Sequence, residues 1–315
     1  MNIKTSAIFL GHGGGPLPLL KDASHRSMIE TLSKTGRIWK SVHDPKVKSI
    51  IFVSAHYVAS SELSSNGLYS NGSGNSGTIL VQCEARPKLL FDYYGFPPES
   101  YEYEMANPGS VELAERIVSL INNDVSDKEG NDINPIKSLI HAKLDKRHRG
   151  FDHGVFVPML AINAPQNIPI VTVSLANDHD TSAHIALGQA LAPLRNDGVL
   201  IIGSGLGFHN LGAFFGGGGV SAEEVKKRAQ EFDDGLEILL RETSEKKTSM
   251  VEKWRSTLPW SQFCHPTAEH LMPLFVVLGT VLGTGSGYDT EVCLEYMERI
   301  SFDMMGIPTS HYIFD

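Results

Sequence analysis

The chain has 315 residues, of which 41% are hydrophobic and 20% charged, with a formal net charge of −9. These proportions suit a globular protein and exclude a disordered, collagen-like or coiled-coil chain. The only basic cluster, Lys143 to Arg149 (KLDKRHR), is short and interrupted by Asp145, so it reads as a solvated loop and no nucleic-acid partner is expected.

The first expected strand covers about residues 5–10 and leaves no room for a signal peptide. The loop GHGGGP, a helix near 22–34 and a strand near 48–54 complete a βαβ unit. Ser60 to Gly77 (SSELSSNGLYSNGSGNSG) reads as a long turn before a strand at 78–82. Helices near 109–122 and 154–162 precede a strand at 168–174, a helix at 181–194 and a strand at 198–203. The run Phe214 to Gly219 is expected to be a loop. Ser221 with Glu224 forms a capping box that opens a helix to about residue 243, with more helix to about Trp254. Pro266 is expected to start the last helix, which runs to about Leu282, and alternation at Val292, Leu294, Tyr296 and Phe302 suggests closing strands. Alternating strands and helices predict an α/β fold: one domain over residues 1–315, with a mainly parallel or mixed central sheet covered by helices.

The longest apolar stretch, Leu271 to Gly283, contains Pro273 and Gly279 and is too short to span a membrane, so no membrane partner is expected. Cys83, Cys264 and Cys293 are odd in number and lack CxxC spacing, which argues against a disulfide framework or a cysteine zinc site and fits a cytoplasmic setting.

Three β-branched runs end within a few residues of a histidine: AIFLG before His12, IIFVSA before His56, and VLIIG leading to His209. In an open α/β sheet, ligands gather outside the carboxyl ends of strands, so these imidazoles could converge on a metal site there. Phe151-Asp152-His153-Gly154 adds a fourth, in which Asp152 could simply cap a helix. The histidine-glycine loop lacks the Gly-x-Ser-x-Gly elbow of esterases, and GSGLGF fails the dinucleotide fingerprint at Phe208. Within His265-Pro266-Thr267-Ala268-Glu269-His270, helical periodicity would place His265 and Glu269 on one face and His270 off it. His25, His43, His141, His148, His179, His184 and His311 have polar surroundings, and a surface or capping role is their default.

In order along the chain, GHGGGP, SAHY, FDHG, GSGLGFHNL and HPTAEHLMPL resemble the class III extradiol ring-cleavage dioxygenases, in the DOPA 4,5-dioxygenase-like branch of the LigB superfamily. Asp92-Tyr93-Tyr94-Gly95-Phe96-Pro97 resembles that branch's aromatic-Gly-Phe-Pro loop. The resemblance implies a mononuclear non-haem metal, Fe(II) for activity with Zn(II) as a possible occupant, held by His12, His56 and His270. It implies an acid/base or ligand role for His209, a pocket-lining catalytic role for His153, and substrate contacts from His265 and Tyr94. Classical members of the superfamily use two histidines and a glutamate, so Glu269 competes with His270 as third ligand. The partners implied are a small aromatic diol and O2, with ring opening as the reaction. A zinc-dependent hydrolase and a non-catalytic LigB-like binding protein are the alternatives.

Overall fold

Unbroken apolar runs such as Ala7 to Leu10 and Ile50 to Val53 need cover on both faces. The computed structural model describes residues 4–59, 77–122, 139–177, 179–216, 219–242, 247–282 and 297–315. In chain order its elements are β1 (Ala7–Gly11), α1 (Arg26–Thr31), α2 (Arg37–Val42), β2 (Ser49–Val58), β3 (Thr78–Gln82), α3 (Val111–Asn122), β4 (His141–Asp145), α4 (His153–Ala161), β5 (Ile170–Leu175) and α5 (Thr181–Leu191). There follow β6 (Val199–Gly205), α6 (Leu211–Phe214), α7 (Ala222–Arg241), α8 (Lys247–Glu252), α9 (Trp254–Thr257), α10 (Ser261–Cys264), α11 (Met272–Gly279), β7 (Met297–Met304) and β8 (Ile307–Phe314).

All eight strands form one mixed sheet in the order β4-β3-β5-β2-β6-β1-β8-β7. Its centre, β5-β2-β6-β1, is parallel. β8 pairs antiparallel with both β1 and β7, and β3 joins β5 antiparallel. Alternate residues feed two cores: Ala7, Phe9, Ile51 and Val53 pack with residues of α3, α5, α7 and α11, whereas Ile8, Leu10, Ile50 and Phe52 pack with α1, α2 and α4. The predicted α/β architecture is therefore the observed one.

Several local expectations need correction. The helix expected near 22–34 is a short 3-10 turn (Ala23–His25) followed by α1, with α2 behind it. The segment read as a solvated basic loop begins inside β4, which pairs parallel with β3, and its Arg147 is turned onto Asp145. The last helix starts at Met272 rather than Pro266. Pro273 has no N–H to bond back to Glu269, and the His270 carbonyl is taken by Leu206 N–H at 3.0 Å, so residues 265–271 stay in turns. The Ser221 cap is present, its Oγ accepting from Glu224 N–H at 3.2 Å. The expected turn over residues 60–76, and strand residues Val292, Leu294 and Tyr296, lie outside the described residues.

Glycines in β6 decide how closely α11 approaches the sheet. A Cβ at Gly203 would lie 2.4 Å from the Pro273 carbonyl oxygen, and one at Gly205 would lie 2.1 Å from that of His270. Bare backbone at these two positions, which share one face of the strand, lets His270 reach the strand ends.

His25, His184 and His311 are buried, not surface groups. His25 Nε2 accepts from Gly14 N–H at 3.0 Å and so holds the loop that follows His12. His311 Nδ1 accepts from Gly11 N–H at 2.9 Å, and its Nε2–H faces Thr31 Oγ1 at 2.9 Å. Burial pushes the His311 imidazole down to about 3. Since that lies below the unfolded value of about 6.5, the neutral ring adds stability that is fully present above about pH 6.5 and is lost as the pH falls toward the folded value. The melting temperature should therefore fall between pH 7 and 4, and less steeply in His311→Gln. Equal slopes in the two proteins would contradict this.

Candidate metal centre

His12 directly follows β1 and its backbone N–H donates to Gly205 of β6 at 3.3 Å. His56 lies within β2, past the point where its pairing with β5 becomes irregular between Val53 and Val58. His270 arrives from the turn before α11, against the glycines of β6. Ligand atoms of these three histidines all lie within 4.8 Å of one another. His12 and His270 are buried, and His56 is partly exposed.

The hydrogen-bond network assigns the tautomers. Ser204 Oγ donates to the Gly154 carbonyl, which can only accept. The same Oγ lies 3.0 Å from His12 Nδ1 and so accepts the His12 Nδ1 proton, leaving a lone pair on His12 Nε2. At His270, Nδ1 faces Glu269 Oε1 at 3.1 Å, and at His56, Nδ1 faces Asp92 Oδ2 at 3.7 Å. The carboxylate on His270 Nδ1 leaves its Nε2 as the ligand atom, the arrangement that orients metal-binding imidazoles, while Asp92 lies beyond hydrogen-bond distance of His56.

His12 Nε2 and His56 Nε2 are 3.1 Å apart. The His12 Nε2 lone pair therefore faces His56 Nε2, which either donates a hydrogen bond to it or shares a cation with it. Two nitrogens each ~2.0–2.1 Å from one ion stand roughly 3.0–3.5 Å apart, so this spacing fits a shared metal. Burial, reinforced by neighbouring imidazoles, holds His12 well below its ordinary pKa and brings His56 to about 4. Burial likewise lowers His270 well below the usual range. All three are thereby kept in the neutral form that ligates.

Two further histidines flank the cluster. His209 follows β6 by four residues, with its backbone N–H bonded to the Cys264 carbonyl at 2.9 Å. Its ring stacks on His270 at 3.4 Å between centroids, and its Nδ1 lies 3.4 Å from Glu269 Oε1. His153 opens α4, and its backbone N–H and Nδ1 both meet Asp92 Oδ1, at 3.0 and 2.8 Å. Its ring is 4.0 Å from that of His56. Burial raises the Asp92 carboxyl, but the hydrogen bonds and charge of His153 overcome this and hold it at about 2. Burial also raises Glu269, yet the nearby His209 and His270 imidazoles prevail and keep it well below the carboxylate range.

The two residues expected to contact substrate differ sharply in exposure. His265 is fully enclosed, its Nε2 bonded to the Gly207 carbonyl at 2.9 Å, and it offers no exposed atom to a ligand. Tyr94 is 93% exposed. The ring near His153, 6.0 Å between centroids, is that of Tyr93. Asp152 caps nothing with its side chain, which bonds to Ser54 and Arg149 instead. Asp92, Ser204 and Tyr93 were not singled out from the sequence, although Asp92 and Tyr93 stand in the aromatic loop motif and Ser204 in the glycine-rich one.

Residues 7–301 match the family described as the catalytic LigB subunit of aromatic ring-opening dioxygenase. The dioxygenase tasH of Hapsidospora irregularis is 32% identical over 285 residues, covering 86% of this chain and 76% of that protein. The 4,5-DOPA dioxygenase extradiol of Beta vulgaris is 30% identical over 279 residues, covering 88% and 87%. The crystal structure of an uncharacterised Escherichia coli K12 protein superimposes with a TM-score of 0.67 at 22% identity, over 99% of this chain and all of that one, which shows the shared fold. The chain belongs to the LigB family, in its DOPA dioxygenase-like branch.

Proposed function

We propose that this chain is an extradiol dioxygenase that opens the ring of a small catechol with O2, at a mononuclear non-haem Fe(II) held by His12, His56 and His270. The observation that carries the reading is the pair of facing Nε2 atoms 3.1 Å apart, with a third imidazole beside them. The names of the relatives, dioxygenase and 4,5-DOPA dioxygenase extradiol, support the reaction and substrate class. In this reading Glu269 serves as the carboxylate behind His270, with Oε1 3.1 Å from His270 Nδ1 and 3.4 Å from His209 Nδ1, and its own ligation is the competing assignment.

An Fe(II) ion held there would supply Lewis acidity toward the diol and a route for electrons from diol to O2. The remaining work falls to the side chains. His209, oriented by Glu269, takes a proton from the second hydroxyl of the catechol and returns it when the ring opens. His153, oriented by Asp92 through Nδ1, presents Nε2 to the diol, and the Tyr93 ring beside it provides an apolar wall.

His209→Ala is expected to lower turnover ~10²–10⁴-fold, the range of a general acid–base group, while metal content stays near wild type. Elemental analysis beside an O2-uptake assay measures both. Loss of the metal from this variant would instead make His209 a ligand.

A further inference from the structure

The main chain of His56 is gripped by a closed ring of hydrogen bonds. Its N–H donates to Ser54 Oγ at 3.2 Å, and the Ser54 hydroxyl donates to Asp152 Oδ1 at 2.8 Å. Its carbonyl accepts from Arg149 Nη2 at 2.7 Å, and Arg149 Nη1 donates to Asp152 Oδ2 at 2.7 Å. Both arms end on one fully buried carboxylate, and the residue after Asp152 is His153.

Two local features show why such a ring is present. Pairing of β2 with β5 is irregular between Val53 and Val58, and its pairing with β6 stops at Ser54, so ladder bonds do not fix the peptide of His56. The fold also makes room for the ring: a Cβ on Gly154 would lie 2.6 Å from Ser54 Oγ and 3.0 Å from Asp152 Oδ1. Arg149 is held from a third side by the Tyr57 ring, 4.5 Å from its guanidinium.

We propose that Arg149 is a positioning residue of the metal centre. It acts through the His56 carbonyl and Asp152 to set the direction of the His56 imidazole and its spacing from His153. The inference rests on the reading of His56 as a ligand. A guanidinium can bridge a carbonyl and a carboxylate with two nitrogens of one rigid plane; a lysine ammonium supplies charge without that fork.

The test is a Co(II) titration of the metal-free chain, followed by the visible absorption of the bound ion, which reports ligand geometry without turnover. Arg149→Lys, which keeps a positive charge beside Asp152, is expected to bind Co(II) ~10–100-fold more weakly and with a shifted band, the range for residues that orient ligands. Millimolar methylguanidinium should restore affinity and band to Arg149→Ala. If that variant does not fold, Arg149→Lys decides the matter alone. Wild-type affinity and band in Arg149→Lys, with binding lost in His56→Ala, would overturn the role of Arg149 and leave the ligand reading standing. Failure of the wild-type chain to bind Co(II) would remove both.

Discussion

Alanine at His12, His56 or His270 is expected to abolish metal retention and lower turnover at least ~10³-fold, a barrier increase of ~4 kcal/mol. Each substitution removes one of the three imidazoles whose ligand atoms lie within 4.8 Å of one another. None has a replacement already in place: His209 is stacked on His270 with Nδ1 toward Glu269, and His153 Nδ1 is committed to Asp92. His12 is the most informative of the three, because its Nδ1 partner Ser204 is itself tied to Gly154 at the start of α4. The fold should survive, since removing a buried neutral ring leaves Ser204 still bonded to Gly154. Elemental analysis after reconstitution checks the prediction, and a variant that keeps one metal per chain and full activity would exclude that residue from the ligand set.

The largest effect on stability is expected from Asp233→Ala, a loss of ~3–5 kcal/mol. Asp233 is buried on α7 and accepts hydrogen bonds from Arg299 of β7 and from Ser310 and Tyr312 of β8. It therefore joins the long helix to the two strands that close the sheet. Alanine leaves the Tyr312 hydroxyl, itself fully enclosed, without that acceptor, and it removes the innermost carboxylate from a guanidinium that also bonds Asp234 and Glu237. Those two outer carboxylates are more exposed, so they offset only part of the loss. Urea unfolding followed by circular dichroism measures the difference; a loss below ~1 kcal/mol would show that the outer pair suffices.

Strands were the most legible part of the sequence, because continuous Ile, Val and Leu runs such as Ile50 to Val53 have no stable place except between two helical layers. Histidines attached to those runs were legible for the same reason. His270 was visible as part of a motif, but its route to the site was misread. Helical periodicity over 265–270 presumed a helix that Pro273 and the Leu206–His270 backbone bond prevent. The groups that orient the site histidines were harder to find, because Ser204, Asp92 and Glu269 reach Nδ1 atoms of distant residues or of a turn whose shape the sequence does not announce. Arg149 was hidden differently: a run of Lys, Arg and His looks solvated, and only the fold sets its two arginines on the buried carboxylates of Asp145 and Asp152.

Ring opening of a catechol with O2 at the histidine cluster is the reaction proposed for this chain. Its most direct test is anaerobic reconstitution of the chain with Fe(II), followed by addition of catechols under measured O2. One O2 consumed per catechol, a yellow ring-opened product, and no turnover until O2 is admitted are expected. Catechol left intact with no O2 uptake by the Fe(II)-loaded protein, or product formed equally well without O2, would contradict it.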